Sequence, residues 1–310
     1  MKRFYLKKWY LDFITPDNIV MYIYVMIVRI GGFRQDCISA LLFTPTNKKL
    51  EFREKQKFSD FGGTKIVSGL NFLHYGGDRT IININQKNAS IALAYSPISG
   101  NWFPNETGKI IQEGGNFISW YVPITKALVN GNIVLRNDKI EINGTGYVDV
   151  VEISMAPWKI PIKELLWGRA HCGKYTVVYD QITLRNNKKI KFLILQRDGI
   201  VLKEKMVSDD TNKSNIISKD PNFRINLNSD KNETTLTHPY FDLKLKQNLL
   251  LEDSSVITNE RLKNNYVRKL LGHFSGNPKE KKIVSDATLF FENSEYNGKA
   301  IHEQVLWHWK

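Results

Sequence analysis

Residues 144–180 read GTGYVDVVEISMAPWKIPIKELLWGRAHCGKYTVVYD and carry the densest mixture of aromatic residues, carboxylates and glycines in the chain. The stretch lies near the midpoint, so we interpret it both as the joint between two halves and as the candidate chemical site. Residues 145–153 alternate as a β-strand does. The alternation places Tyr147 and Asp149 on one face and Glu152 on the other.

The end of this stretch predicts a second strand. Residues 175–184 are rich in β-branched and aromatic side chains, and Asp180 shares a face with aliphatic neighbours. An ionised carboxylate there is costly unless it is paired, so we expect Asp180 to hold its proton with a raised pKa or to find a partner. A carboxyl with a raised pKa can act as an acid near neutral pH. Alternatively, Asp180 accepts hydrogen bonds from the backbone or from Arg169 and takes no part in chemistry.

Length and composition indicate a globular protein with more than one core. A chain of 310 residues with 42% hydrophobic content predicts two domains, residues 1–157 and 158–310. The net charge of +13 comes mostly from lysines scattered through turns, which is typical of a solvated surface but also favours an anionic membrane surface or an acidic partner. No zinc-finger spacing or RNA-binding aromatic signature accompanies the charge, so we expect no nucleic-acid partner.

The cysteines and the apolar runs indicate the cellular compartment of the protein. Two cysteines, Cys37 and Cys172, form no disulfide framework and favour a reducing compartment. The basic N-terminus lacks the form of a signal peptide. Residues 19–28 are the most apolar run, but about 20 residues are needed to span a bilayer, so we expect a strand buried on both faces. The prediction is a cytoplasmic protein, with peripheral membrane contact left open.

Short apolar or alternating runs separated by turn signals recur in both halves, with no alternation of strands and helices. The expected strands are residues 19–29, 37–43, 50–52, 65–73, 79–85, 90–96, 115–122, 131–135, 139–142, 175–184, 191–197, 200–206, 223–228, 234–238, 241–245, 287–292 and 300–309. A turn is expected at the Asn130-Gly131 pair, short helices at 161–166 and 260–271, and a mobile loop at 209–222. The pattern predicts an all-β protein of antiparallel barrels or sandwiches.

Three segments carry a family resemblance. WYLDFITPDN at 9–18 resembles the W-Y-F-D-x-x-x-x-D-G start of the carotenoid hydratase (hydroxyneurosporene synthase) family. GTGYVDVVE at 144–152 resembles its G-x-G-Y-x-D-H-N-W-G segment. LLWGRAHCGKYTVVYD at 165–180 is similar to the W-Y-W-G-x-x-x-x-G-x-Y-x-x-V-x-x-D segment of the Diels-Alderase-like cyclases in the same superfamily. The segments occur in family order over nearly the whole chain.

The resemblance implies two consecutive lipocalin-like β-barrel domains with an apolar pocket at their junction. It also implies a cofactor-free enzyme that adds water to an isoprenoid double bond or cyclises a polyene. Tyr147 and Asp149 fall on the central motif, and the third motif covers Trp167, Gly168, Gly173, Tyr175, Val178 and Asp180. Residues 150–153 depart from the family, because Val-Val-Glu-Ile stands where the motif has H-N-W-G, and this weakens hydration in particular.

Protonating an alkene requires an acid shielded from water and electron-rich faces that stabilise the cation. The candidate acids are Asp149 and Asp180, with Glu152 as a third carboxyl. The candidate rings are Tyr147, Trp158, Trp167, Tyr175 and Tyr179. Tyr179 is also a hydrogen-bond donor and His171 a candidate base. Such aromatic residues equally fill barrel interiors, however, and such a histidine is more often an ordinary surface or hydrogen-bonded residue.

Two functions from different classes remain open at this stage. The first is a cofactor-independent cyclase, isomerase or hydratase that acts on a hydrophobic isoprenoid or polyene, through an acid or through a pericyclic reaction in which Tyr or Asp polarises a carbonyl. The second is a non-catalytic carrier of such a molecule with the same double barrel. The sequence predicts no metal site and no cofactor, and it carries no signal for an oligomeric state.

Overall fold

The computed structural model describes residues 4–46, 49–61, 64–75, 78–87, 89–135, 138–208, 224–228, 232–255 and 278–308. The chain divides into two compact units, Met1–Ala156 and Pro157–Lys310. Both units consist of antiparallel sheets, which confirms the all-β prediction. In these described residues no helix is long and apolar enough to cross a membrane. The helix expected at 260–271 and the loop expected at 209–222 lie outside them.

The first unit is one sheet. Its strands are β1 (Phe4–Ile14), β2 (Val20–Ile30), β3 (Phe33–Phe43), β4 (Lys49–Gln56), β5 (Ser59–Phe61), β6 (Lys65–Ser68), β7 (Asn71–His74), β8 (Thr80–Gln86), β9 (Ala89–Trp102), β10 (Lys109–Glu113), β11 (Asn116–Leu135) and β12 (Asp138–Ile153). Their order is β4-β3-β2-β1-β12-β11-β9-β8-β7-β6-β5, with β10 paired to β11. Strands far apart in the sequence, β1 and β12, are therefore neighbours at its centre.

This sheet curls so that its two edges approach one another. Leu50 of β4 and Leu73 of β7 belong to one apolar core although their strands lie near opposite ends of the strand order. Asp36 of β3 accepts a hydrogen bond of 2.8 Å from the backbone N–H of Phe58, just before the edge strand β5. Arg34 donates to the Phe58 carbonyl at 2.6 Å. These polar contacts join β3 to the short connection between β4 and β5, the two strands at the ends of the sheet.

The second unit begins with a short 3₁₀ helix at Pro157–Lys159 and continues as one sheet. Its strands are β13 (Ile162–Cys172), β14 (Tyr175–Leu184), β15 (Lys189–Arg197), β16 (Ile200–Ser208), β17 (Arg224–Asn228), β18 (Glu233–His238), β19 (Phe241–Ser255), β20 (Lys279–Phe291) and β21 (Ser294–Leu306). Their order is β16-β15-β14-β13-β21-β20-β19-β18-β17. Its core joins residues of β13 and β14 to residues of β17–β20.

Three local predictions were wrong. Residues 161–166 are not helical, because Ile162 begins β13, which pairs with both β14 and β21 and gains a full set of strand hydrogen bonds. Residues 65–73 form two strands, since Gly69 turns the chain with φ of 59°. Gly131 is no turn: it lies inside β11, where a Cβ would meet the Ala92 carbonyl oxygen, so the glycine permits a close strand approach.

Both sheets bury both of their faces around the central strands. On β12, Val148 and Val150 belong to the core of the first unit, while Tyr147 and Asp149 on the opposite face are also buried. On β14, Tyr179 belongs to the core of the second unit, and its neighbours on the opposite face are buried as well. A sheet face outside the core is usually solvated in antiparallel proteins, so a buried polar face here needs a further explanation.

Gly168 shows how closely the second core is packed. It lies opposite Tyr179 in the pairing of β13 with β14. A Cβ built at Gly168 would lie 2.8 Å or less from three atoms of the Tyr179 side chain, its hydroxyl oxygen included. The phenol ring therefore lies directly over the glycine, and only the absence of a side chain permits that position.

We expect Gly168→Ala to lower the free energy of unfolding by about 1–3 kcal/mol, because the rigid ring has to leave its position in a packed core. The matched control is Gly32→Ala, since nothing lies within 4 Å of a Cβ built there. This exposed control is expected to change the free energy by less than about 0.5 kcal/mol. Urea denaturation of both variants is the measurement, and equal effects would contradict the packing described here.

Candidate functional site

Asp149 is buried on the face of the first sheet opposite its apolar core, which we call the outer face, and accepts two side-chain hydrogen bonds there. Tyr147, two residues earlier on β12, points the same way and donates its hydroxyl hydrogen to Asp149 Oδ2 at 3.2 Å. The Trp120 indole N–H donates to the same oxygen at 3.3 Å. Trp120 precedes a shift in the register of β11 between Tyr121 and Ile124, and such irregularities re-aim side chains. Two donors therefore fix the orientation of the carboxyl.

The neighbouring strands add more phenols and a second carboxyl to this face. Tyr10 of β1 lies opposite Asp149, and Asp12 lies opposite Tyr147. On the next strand, Tyr24 lies opposite Tyr10 and Tyr22 opposite Asp12. We call this set the tyrosine–carboxylate cluster; it consists of Tyr10, Asp12, Tyr22, Tyr24, Trp120, Tyr147 and Asp149. None of its members is more than 5% exposed.

The rings of this cluster are in contact. The Tyr10 ring centroid lies 5.5 Å from that of Tyr24 and 6.2 Å from that of Tyr147, and the centroids of Tyr22 and Tyr24 are 5.5 Å apart. Burying phenols and carboxylates costs free energy that apolar side chains of similar size would not cost. Each ring face can attract a cation, and each hydroxyl can donate or accept a hydrogen bond. The arrangement combines acids with electron-rich surfaces in a region shielded from water.

Glu152 does not join this cluster. It lies opposite Lys7 of β1, on the face that carries Trp9. Lys7 donates to the Tyr75 hydroxyl at 3.4 Å, and its ammonium lies 4.8 Å from the Trp9 ring centroid. Glu152 therefore faces away from Asp149, as the strand alternation predicts, and the structure keeps these two candidate acids apart.

The candidates from the third motif lie in the second unit and divide between its two faces. Trp167 and Asp180 are cross-strand partners on the face opposite the core. On the same face, Arg169 Nη1 lies 3.4 Å from His171 Nδ1. Because arginine can only donate, the ring nitrogen is the acceptor in that contact. Both side chains are buried, so His171 is not an ordinary surface histidine.

The remaining candidates lie elsewhere. Tyr175 and Tyr179 belong to the interior core of the second unit. Burial, and to a lesser extent the nearby charge of Asp180, raise the pKa of Tyr179 above its usual range, so its phenol stays protonated. Trp158 lies in the short 3₁₀ helix with 43% of its surface exposed. No set of three or more metal-ligating side chains occurs in the part of the chain that the structure describes.

Sequence reasoning missed five members of the tyrosine–carboxylate cluster. These are Tyr10, Asp12, Tyr22, Tyr24 and Trp120. A signal existed for Tyr10 and Asp12, which are the Y and D of the opening W-Y-L-D segment. Tyr22 and Tyr24 alternate within an apolar strand, which indicates a shared face. No local pattern singles out Trp120.

We expect Asp149→Ala to lower the free energy of unfolding by about 2–3 kcal/mol, because it leaves the Tyr147 hydroxyl and the Trp120 indole N–H without their acceptor. Asp149→Asn keeps an acceptor oxygen and should cost clearly less. Asp253→Ala, at an exposed position of β19, is the control and should stay within about 0.5 kcal/mol. Equal losses in the Ala and Asn variants of Asp149 would show that these hydrogen bonds contribute little.

Comparison with known proteins shows that the chain has a known fold. No protein-family model matches the chain, and no curated protein matches it in sequence. Among solved structures, a candidate AttH from Nitrosomonas europaea is similar over 99% of this chain and 93% of its own, with a TM-score of 0.65 and 13% identity. CghA with Sch210972 is similar over 99% of this chain and 89% of its own, with a TM-score of 0.67 and 10% identity. Kievitone hydratase from Nectria haematococca is similar over 97% of this chain and 88% of its own, with a TM-score of 0.59 and 12% identity. The chain therefore shares the fold of these proteins, the lipocalin-like fold that the motif resemblance implies.

Proposed function

We propose that this protein is a cofactor-independent enzyme that cyclises, isomerises or hydrates a hydrophobic isoprenoid or polyene, with Asp149 as the initiating acid. The observation that carries the proposal is the pair of donors on one Asp149 oxygen inside a buried set of tyrosines. The fold shared with a protein named as a hydratase supports the reaction class. The opening and central motifs support it independently, since they supply Tyr10, Asp12, Tyr147 and Asp149.

In the proposed reaction the protonated Asp149 carboxyl transfers its proton to a carbon of a substrate double bond. The π electrons form the new C–H bond and leave a carbocation on the neighbouring carbon. Tyr147 and Trp120 then stabilise the carboxylate, because hydrogen bonds to an ionised acceptor are stronger than those to a neutral one. The tyrosine faces stabilise the cation, each by about 0.5–2 kcal/mol when desolvated.

The cation can be quenched in two ways. In cyclisation or isomerisation, a second double bond attacks or the skeleton rearranges, and loss of an adjacent proton to the Asp149 carboxylate gives a product of unchanged mass. In hydration, water attacks the cation and passes its proton to the same carboxylate. Val150, which occupies the position of the motif histidine, is a buried core residue here. This observation favours cyclisation or isomerisation over hydration.

The same substitutions at residues 150–153 favour a second candidate function. A protein that has lost part of the family's central motif but keeps the fold could bind an isoprenoid without converting it. Such a carrier would use the buried aromatic face as a binding surface, and Asp149 would then serve only to hold the cluster together. The two functions differ in whether a bound polyene changes.

The test is to incubate the purified protein, without cofactors, with a panel of linear isoprenoids and polyenes and to analyse the extracts by mass spectrometry. We expect isobaric products from the native chain. Asp149→Asn should lower turnover by about 10²-fold or more, the usual contribution of a general acid. Tyr147→Phe should lower it less, since Trp120 remains as a donor.

Two controls separate catalysis from folding and from other acids. Asp253→Asn, on an exposed position, should leave turnover unchanged, and thermal unfolding of every variant verifies its fold. Asp180→Asn tests the second candidate acid. Loss of turnover in this variant but not in Asp149→Asn would assign the initiating acid to Asp180 in the second unit. Recovery of unaltered, bound polyene in all samples would favour the carrier and contradict the enzyme.

A further inference from the structure

The second unit contains a cavity of its own, separate from the tyrosine–carboxylate cluster. Its volume is about 80 Å³ and its lining comes from strands of the second sheet, including Leu166, Tyr179, Ile225, Ile283 and His302. Because about 10–15 Å³ of such volume suffices to hold one water, the cavity has room for a group of several non-hydrogen atoms. Its walls are apolar where leucine and isoleucine line it and polar where the phenol and imidazole do.

The register of three strands places the two polar groups on the same face of the sheet, on either side of β13. His302 of β21 lies opposite Gly168 of β13, which lies opposite Tyr179 of β14. The missing side chain at Gly168 leaves space that the Tyr179 ring enters, so its hydroxyl extends over the glycine toward the strand that carries His302. A single glycine therefore allows a phenol and an imidazole to line one cavity.

A hydrogen bond with a residue of the neighbouring strand β20 orients the His302 ring. Its Nε2 lies 2.7 Å from the buried Ser285 hydroxyl, which leaves Nδ1 as the ring nitrogen available to a ligand. Burial, together with the nearby charge of Lys281, lowers the pKa of His302 to about 4, so the ring is neutral at pH 7. The Tyr179 phenol is protonated, as described above. The inner end of the cavity thus presents uncharged groups that can donate and accept hydrogen bonds.

The charged lining residues do not favour an anion. Lys281 lines the cavity, but so do Glu233 and Glu303. Lys282, whose ammonium lies 2.6 Å from a Glu303 carboxylate oxygen, adds a second positive charge, so two ammonium groups stand against two carboxylates and leave no surplus of positive charge to attract a carboxylate or a phosphate. A neutral ligand avoids the desolvation cost of a charge and still uses both hydrogen-bonding groups.

We propose that this cavity is a second binding site, which takes a small neutral oxygenated group, such as a phenol, an enone or the hydroxylated end of a larger apolar molecule. Tyr179 donates to the oxygen of that group, and His302 Nδ1 accepts from its hydroxyl where it has one. Leu166, Ile225 and Ile283 contact its apolar part. The site does not depend on the proposed chemistry at Asp149.

The experiment titrates the full chain with phenol and observes isoleucine methyl signals by NMR, with toluene and benzoate as matched probes of similar size. We expect phenol to shift the methyl signals of Ile225 and Ile283, which Ile225→Val and Ile283→Val assign. Tyr179→Phe should weaken phenol binding by about five- to tenfold, which corresponds to the loss of one hydrogen bond worth about 1–1.4 kcal/mol. Toluene and benzoate should bind more weakly than phenol.

Further measurements distinguish binding at this cavity from binding at the first unit and from loss of folding. Asp149→Asn should bind phenol as the native chain does, because Asp149 belongs to the first unit; loss of binding in this variant would overturn the separate site. Urea denaturation verifies that Tyr179→Phe is folded. Equal affinity for toluene, unchanged binding in a folded Tyr179→Phe, or shifts only at other methyls would each overturn the proposal.

Discussion

The two-residue period of antiparallel strands is the constraint on which the candidate site depends. Once Val148 and Val150 enter the core of the first unit, Tyr147 and Asp149 must lie on the opposite face. A shift by one residue would exchange the two sets and bury the carboxyl among aliphatic side chains. The packing of the core therefore fixes where the acid and its phenol partner lie.

The buried outer face contains hydroxyls and carboxyls whose desolvation lowers the stability of the fold, so we attribute their presence to a role other than stability. Apolar residues on the same positions would bury similar area without the desolvation of hydroxyls and carboxyls. The first sheet instead places Tyr10, Tyr22 and Tyr24 in contact on this face beside Asp12 and Asp149. Local rules are commonly broken in this way at functional sites. In the second unit, the absence of a side chain at Gly168 leaves space for the Tyr179 phenol.

Sequence patterns predicted much of the fold because period-two alternation and turn residues act locally. The all-β class, the buried strand near residues 19–28 and the shared facing of Tyr147 and Asp149 all follow from such signals. The pairing of β1 with β12 does not, since the register between strands so distant in the chain depends on the whole core. For that reason Tyr10 and Asp12 were recognised only as parts of an opening motif and not as neighbours of Asp149. Residues 161–166 and Gly131 were misinterpreted because pairing with neighbouring strands overrides local propensity.

The most direct test of the central claim is a single turnover in D₂O with enzyme equilibrated in that solvent, followed by exchange back into H₂O and mass spectrometry of the product. Initiation by a carboxyl that exchanges its proton with solvent predicts one deuterium retained on carbon, and Asp149→Asn should form this labelled product about 10²-fold or more slowly. An unlabelled product formed at the native rate would contradict acid initiation and would instead indicate a pericyclic cyclisation in which no proton is transferred to carbon.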